Sequence, residues 1–320
     1  LPILFFLKFV STPHPVLYHV FMPVFGAGTA LAIYLVVRTT ARSIRSEIAF
    51  FCMVLSLMIL PLGERPFSQL LPMGAATFYM CLTTYFLKGA FERESRGASG
   101  WLFLAGIAAL LAYAAKLTMI FFGLPLSITL LVVLLRDRQI FRAVAFFSPL
   151  IVGFIIEVWM VHQGTGSLLG RALYVISELN SHGRGLNYLG TLDAGADLGG
   201  WGFGGFWEYF LLSPAKYFEA LGLYSLVIYA SVLLALYELV YRRRNQQDRK
   251  LDFCLAGTIV GFFLLQSYVV VSFEPYIFPE KYIHERYQYA LFILCGIFLI
   301  RRACENKWLR ESGKPLGDSS

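Results

Sequence analysis

The sequence predicts an all-α fold, a polytopic bundle of transmembrane helices, and its composition and hydropathy both indicate this class. Of the 320 residues, 58% are hydrophobic and only 15% are charged, with a mean hydropathy of +0.64. A soluble domain carries about 25% charged residues. Several apolar runs approach the roughly 20 residues with which a helix crosses a bilayer. The composition is therefore that of an integral membrane protein.

The basic residues are grouped in short turns, and each group follows an apolar run. Lys and Arg concentrate in the cytoplasmic loops of membrane proteins, so these groups predict which turns face the cytoplasm. Their dispersal over several turns does not favour nucleic acid as a partner. The groups are Arg38/Arg42/Arg45, Lys88/Arg93/Arg96, Arg136/Arg138/Arg142, Arg242/Arg243/Arg244/Arg249/Lys250 and Arg301/Arg302/Lys307/Arg310.

About nine membrane segments satisfy this charge pattern, with the N-terminus outside and the C-terminus cytoplasmic. An apolar stretch of 35 residues, 101–135, is too long for one span, and Lys116 divides it into two helices. The prolines around Glu64-Arg65 end the second segment. The predicted segments are 15–37, 47–61, 67–87, 101–115, 119–135, 143–161, 220–241, 253–272 and 286–300.

We expect one transmembrane domain over residues 1–310, with outer loops at 163–215 and 273–285 and a disordered cytoplasmic tail at 311–320. Four of the cysteines lie inside apolar runs and the fifth, Cys304, follows the last run. No Cys/His spacing resembles a zinc site, so no metal is expected. The chain starts with Leu1 inside an apolar stretch, which indicates that its start is missing. We expect an integral membrane protein, located in the bacterial inner membrane.

Two breaks on the outer side place a cation near apolar surface. The guanidinium of Arg65, beside Glu64, can hold a phosphate or carboxylate with paired hydrogen bonds, or it can simply contact lipid head groups at a turn. Lys116 avoids the cost of a charge at mid-bilayer because the helix breaks there and the amine reaches the interface. It is either a fixed positive charge for a lipid-borne phosphate or a snorkelling lysine.

Two further features carry ionisable groups. Glu157 lies in an apolar run five residues before His162 and needs a partner, for which Lys116 is the nearest candidate by depth. It forms a structural ion pair, or it acts as an acid/base group or proton relay. Residues 280–287 are the densest polar stretch of the outer face, and there a helix N-terminus could meet an anion. The alternative is a solvated helix start.

Four stretches, spread in order over most of the chain, carry a family resemblance. They are Ser11-Thr12-Pro13-His14-Pro15-Val16-Leu17-Tyr18, Pro61 with Glu64-Arg65, Gly106 to Pro125 with its break at Lys116-Leu117-Thr118, and Glu285-Arg286-Tyr287. The chain resembles the GT-C-type membrane glycosyltransferases, which use polyprenyl- or dolichyl-phosphate sugars and include protein mannosyltransferases and the aminoarabinose transferase. In that family similar stretches follow the first outer loop, end a short helix, break a Gly/Ala-rich helix and open a late helix.

The resemblance implies transfer of a sugar from a polyprenyl-phosphate-linked donor to an acceptor outside the cytoplasm, with membrane lipids as further partners. It implies no certain cofactor. The phosphate-binding cations would be Arg65, Lys116 and Arg286, with Lys281 second; the supporting residues would be Glu64, Glu157, His284, Glu285 and His14.

The catalytic residue is unknown from this sequence. The family's carboxylate lies in the first outer loop, whereas residues 1–12 contain no Asp or Glu, so enzyme activity is expected only if an acidic loop precedes them. The alternative is a catalytically silent GT-C-derived structural subunit of a larger membrane complex. A transporter that uses Glu157 and Lys116 as a relay would need two matching halves, which the sequence does not show.

Overall fold

The structure is a computed structural model, and it describes residues 15–37, 72–92, 97–166, 221–241, 250–267, 270–272, 278–279 and 285–305. Within these residues the chain is almost entirely helical. The helices are α1 (Pro15–Val37), α2 (Pro72–Phe91), α3 (Gly97–Ala115), α4 (Ile120–Arg136), α5 (Ile140–Thr165), α6 (Ser225–Tyr241), α7 (Lys250–Ser267) and α8 (Glu285–Glu305). Short 3₁₀ turns, Leu117–Met119 and Gly222–Tyr224, precede α4 and α6.

The predicted helical class and several predicted bounds agree with the structure. The first helix covers the predicted residues 15–37, and the chain leaves the helical path at Lys116 as expected. Helix α2, predicted over 67–87, is described over Pro72–Phe91 with a proline in its first turn, a position that proline suits. Residues 67–71 lie outside the described residues. The predicted segment 47–61 lies outside the described residues.

The predicted segment 253–272 is too long at its C-terminal end. Helix α7 stops at Ser267, and strand β1 (Val270–Ser272) pairs antiparallel with strand β2 (Phe278–Pro279). Residues 269–271 are three consecutive valines, and β-branched side chains favour extended backbone over helix. Hydrophobicity alone does not distinguish such a strand from the end of a span.

Four helical segments of the described chain are long and apolar enough to cross a membrane: Gly97–Ala115, Ile140–Gly164, Gly222–Val240 and Lys250–Ser267. Large apolar side chains lie exposed along α4 and the start of α5, where Phe141 is 90% exposed. In water such surface would be costly. A membrane protein with several helical spans accounts for both observations.

The described residues fall into two compact units. The larger takes in Leu1–Leu150, Leu226–Phe262 and Glu285–Ser320, and the smaller takes in Ile151–Ser225 and Phe263–His284. The larger unit contains α1 to α4, α8 and most of α6 and α7. The smaller unit contains the second part of α5 and the pair of β-strands.

Glycines allow close helix contacts in the larger unit. A side chain at Gly106 of α3 would meet the backbone carbonyl of Phe146 and the ring of Pro149, both in α5. A side chain at Gly28 of α1 would lie 2.7 Å from the ring of Phe78 in α2. Small residues at helix contacts are typical of membrane proteins, where packing must replace the hydrophobic effect.

We expect Gly106→Ala to destabilise the protein by about 1–3 kcal/mol, because the added methyl group overlaps backbone that cannot rotate away. Gly100→Ala on the same helix is the matched control, since no atom lies within 4 Å of its added Cβ. That control should be neutral or stabilising by up to about 1 kcal/mol through helix propensity. Thermal unfolding in detergent measures both, and equal melting temperatures for the two variants would contradict the packing.

Candidate functional site

The C-terminal ends of α1, α2 and α8 meet at one end of the larger unit. Lys88 Nζ, in the last turn of α2, lies 2.9 Å from the carbonyl oxygen of Leu35 in α1. Arg301 Nη1 of α8 lies 3.3 Å from the carbonyl oxygen of Val36. Both contacts join late residues of one helix to late residues of another. The three helices therefore run parallel, and we call this end of the unit the basic end.

Ion pairs bring three more helices to the basic end. Arg301 Nε lies 2.9 Å from Oδ1 of Asp252, a fully buried carboxylate in the first turn of α7. Arg302 pairs with Glu238 near the end of α6. Lys250, which starts α7, pairs with Asp137 after α4. Residues from four of the five predicted basic groups therefore lie at one end of the unit. This would be required if those groups face the same side of a membrane.

The opposite end of the larger unit follows from these helix directions. Because α1, α2 and α8 run parallel, their starts at Pro15, Pro72 and Glu285 share the end away from the basic residues. Helix α3 runs antiparallel to α2, since the Trp101 ring near its start packs 5.7 Å from the Tyr85 ring near the end of α2. The end of α3 therefore lies on the side where α2 begins. We call this the distal end.

Lys116 lies at the distal end, at the junction of α3 and α4. Its amide nitrogen donates to Ala112 at 3.1 Å, which completes the last turn of α3. Its carbonyl accepts a hydrogen bond from the Met119 amide at 3.0 Å, which closes the 3₁₀ turn. The residue is half-buried. The backbone is thus fixed on both sides of the lysine, which limits the positions that its amine can reach.

The residues after Lys116 add polar groups that suit an anion. The Oγ1 atom of Thr118 is buried and has no hydrogen-bond partner among the described residues. Helix α4 starts after Met119, which gives no side-chain cap to the first N–H groups. The start of a helix lies at the positive end of the helix dipole, which attracts anions. A lysine, a hydroxyl group and a helix N-terminus therefore follow one another within five residues.

The structure describes only part of the predicted site. Glu285 and Arg286 open α8 at the distal end, with their backbone described and their side chains not. The remaining predicted residues lie outside the described chain: His14, Glu64, Arg65, Lys281 and His284. Of the predicted phosphate-binding cations, Lys116 and the start of α8 with Arg286 are thus placed at one end of one unit.

Glu157 belongs to the other unit, in the second part of α5. It is half-buried between exposed apolar residues such as Ile156 and Trp159. Its predicted pairing with Lys116 stays a prediction. Within the described residues no group of three His, Cys, Asp or Glu side chains could hold a metal ion.

Sequence reasoning missed the acidic partners at the basic end. Asp252 and Glu238 are 0% and 6% exposed, and each pairs with an arginine of α8. The signal was present: each is an isolated carboxylate inside an apolar helix, close to a basic group. Such a carboxylate requires a nearby cation, because an unpaired buried charge is very costly.

In comparisons with protein-family models, curated proteins and solved structures, no match to this chain was found.

Lys116→Cys and Arg136→Cys should be labelled from opposite sides of the membrane, because they lie at opposite ends of α4. An impermeant maleimide on intact cells should modify only one of the two variants, and permeabilised cells should show both. The native cysteines are replaced by alanine in this test. Labelling of both variants from the same side would contradict the two ends described above.

Proposed function

We propose that this chain is a GT-C-type integral membrane glycosyltransferase. It transfers a sugar from a polyprenyl-phosphate donor to an acceptor on the non-cytoplasmic side. The observation that carries this proposal is the shared distal end of α1, α2, α3 and α8, to which the parallel and antiparallel packing assigns Lys116 and the start of α8. The start of α1, the break after α3 and the start of α8 fall within three of the four stretches that carry the GT-C resemblance.

The chemistry of a polyprenyl-phosphate donor fits a cationic site at a membrane surface. Its phosphate lies at the head-group level while its prenyl chain stays in the bilayer. When the sugar leaves, the phosphate gains negative charge, and fixed cations that neutralise this charge lower the barrier. The Lys116 amine, the Thr118 hydroxyl and the first N–H groups of α4 supply positive potential at that level.

Arg286 is the proposed second cation of this site, on the first turn of α8. Arg65 and Lys281 are proposed to complete it, with Glu64 and Glu285 as orienting carboxylates. His14, His284 and Glu157 are the proposed supporting residues, with His14 near the acceptor entrance. A set of cations from separate segments lets one phosphate group join several parts of the chain.

We further propose that nine segments cross the membrane, with the basic end in the cytoplasm and the distal end outside. The positive-inside rule supports this orientation, because the basic groups lie at the ends that meet around Arg301. The bacterial inner membrane is the proposed location, with undecaprenyl phosphate as its polyprenyl carrier.

Lys116→Ala should weaken binding of undecaprenyl phosphate by about 10- to 100-fold, the loss expected for one charge-assisted hydrogen bond. Arg136→Ala is the matched control, because it removes one exposed positive charge at the basic end. Binding to protein in lipid nanodiscs is measured against undecaprenol, which lacks the phosphate. Equal affinity of wild type for the two lipids would refute a phosphate site.

An assay of sugar transfer distinguishes the proposed glycosyltransferase from a catalytically silent subunit. The full-length protein is given polyprenyl-phosphate-linked mannose or aminoarabinose in membranes, and release of the polyprenyl phosphate is followed. We expect release to fall at least about tenfold in Arg286→Ala. Undiminished release would remove Arg286 from the mechanism, and phosphate binding without any release would favour the catalytically silent subunit.

A further inference from the structure

Cations from two neighbouring helices hold the C-terminal turn of α1 at the basic end. Lys88 of α2 donates to the Leu35 carbonyl, and Arg301 of α8 donates to the Val36 carbonyl. The last carbonyls of a helix carry partial negative charge, so a cation there is favourable. Here the cations come from other helices, and each contact therefore also fixes how far one helix is displaced along another.

Arg301 is itself held in place. Its Nε atom lies 2.9 Å from Asp252 Oδ1, while its Nη1 atom contacts the Val36 carbonyl. The planar guanidinium directs these two donors at fixed angles, which a lysine amine does not do. Asp252 is fully buried and begins α7, so its position is fixed by the core. One side chain thus joins α1, α7 and α8.

We propose that Arg301 and Lys88 are positioning residues that set the register of α1, α2 and α8 and thereby align the distal end. This inference rests on the proposed function, because the distal end holds the proposed phosphate site. Helix α1 rises about 1.5 Å per residue, so its start lies about 30 Å from the carbonyls that these cations hold. A helix transmits a displacement along its axis with little loss, so a shift at the basic end reaches the distal end.

The packing between the two ends gives this register a definite value. The Phe25 ring of α1 lies 5.7 Å from the Phe78 ring of α2, and Gly28 faces the same ring. A slip by one turn would bring a different residue of α2 opposite Gly28. The contacts at the basic end and those at mid-helix are therefore compatible with the same helix register. The contacts of the two cations stabilise this register over one that is shifted by a turn.

Arg301→Lys distinguishes positioning from simple charge pairing. The lysine keeps a positive charge beside Asp252, so folding is retained, but it loses the fork that also reaches Val36. Register is read by disulfide formation in a background with the native cysteines replaced by alanine. The native pair is Gly28→Cys with Phe78→Cys, and the shifted pair is Gly28→Cys with Leu82→Cys. Arg136→Lys serves as the control at an exposed position.

We expect the unsubstituted Arg301 background to favour the native pair, and Arg301→Lys to reduce that preference about tenfold, the factor for one charge-assisted hydrogen bond. Binding of undecaprenyl phosphate should weaken in parallel, and Arg136→Lys should change neither. An unchanged preference in Arg301→Lys would overturn the register role.

A second result would overturn the link to the site alone: a lost preference together with unchanged binding of undecaprenyl phosphate. If the wild-type protein does not bind this lipid phosphate, the proposed function fails, and disulfide formation by itself still decides whether Arg301 sets the register. Failure of the positioning role and failure of the phosphate site therefore give different results.

Discussion

The arrangement of helices in the larger unit depends on neutralisation of the buried Asp252 carboxylate. This carboxylate is fully buried among apolar helices, where an unpaired charge would cost several kcal/mol. The first-turn N–H groups of α7 and the guanidinium of Arg301 both stabilise it. Since Arg301 also contacts Val36, the need to neutralise one buried charge determines where α7 begins relative to the ends of α1 and α8.

Close packing sustains this arrangement between the two ends. Gly257 and Gly261 of α7 lie one turn apart and allow Thr129 and Pro125 of α4 to approach its backbone. Apolar side chains gain little from leaving lipid, so contacts between helices must come from such shape fit and from polar groups. The charged pairs fix the helix ends, and the glycines determine how near the helices lie.

Much of the helical architecture could be predicted from sequence, because hydrophobic length and basic turns are strong signals. The break at Lys116 was predictable for the same reason, as a single charge in 35 apolar residues must reach an interface. The strand at Val270–Ser272 could not be predicted, since three consecutive valines are as compatible with the end of a membrane span as with a strand. The pairing of Glu238 with Arg302 was also missed, because the partners are far apart in sequence. The candidate site was predicted as a set of residues without positions, of which Lys116, Glu157 and the start of α8 lie in the described part of the chain.

The turn between α3 and α4 has a consequence for how the protein enters its membrane. Three residues of 3₁₀ helix join two apolar helices, so neither helix has enough connecting chain to cross independently of the other. In the proposed topology both helices cross the membrane, so they would enter it together as a helical hairpin with Lys116 at its tip. In that topology, burial of both apolar helices in lipid supplies the free energy that moves the lysine amine across the bilayer.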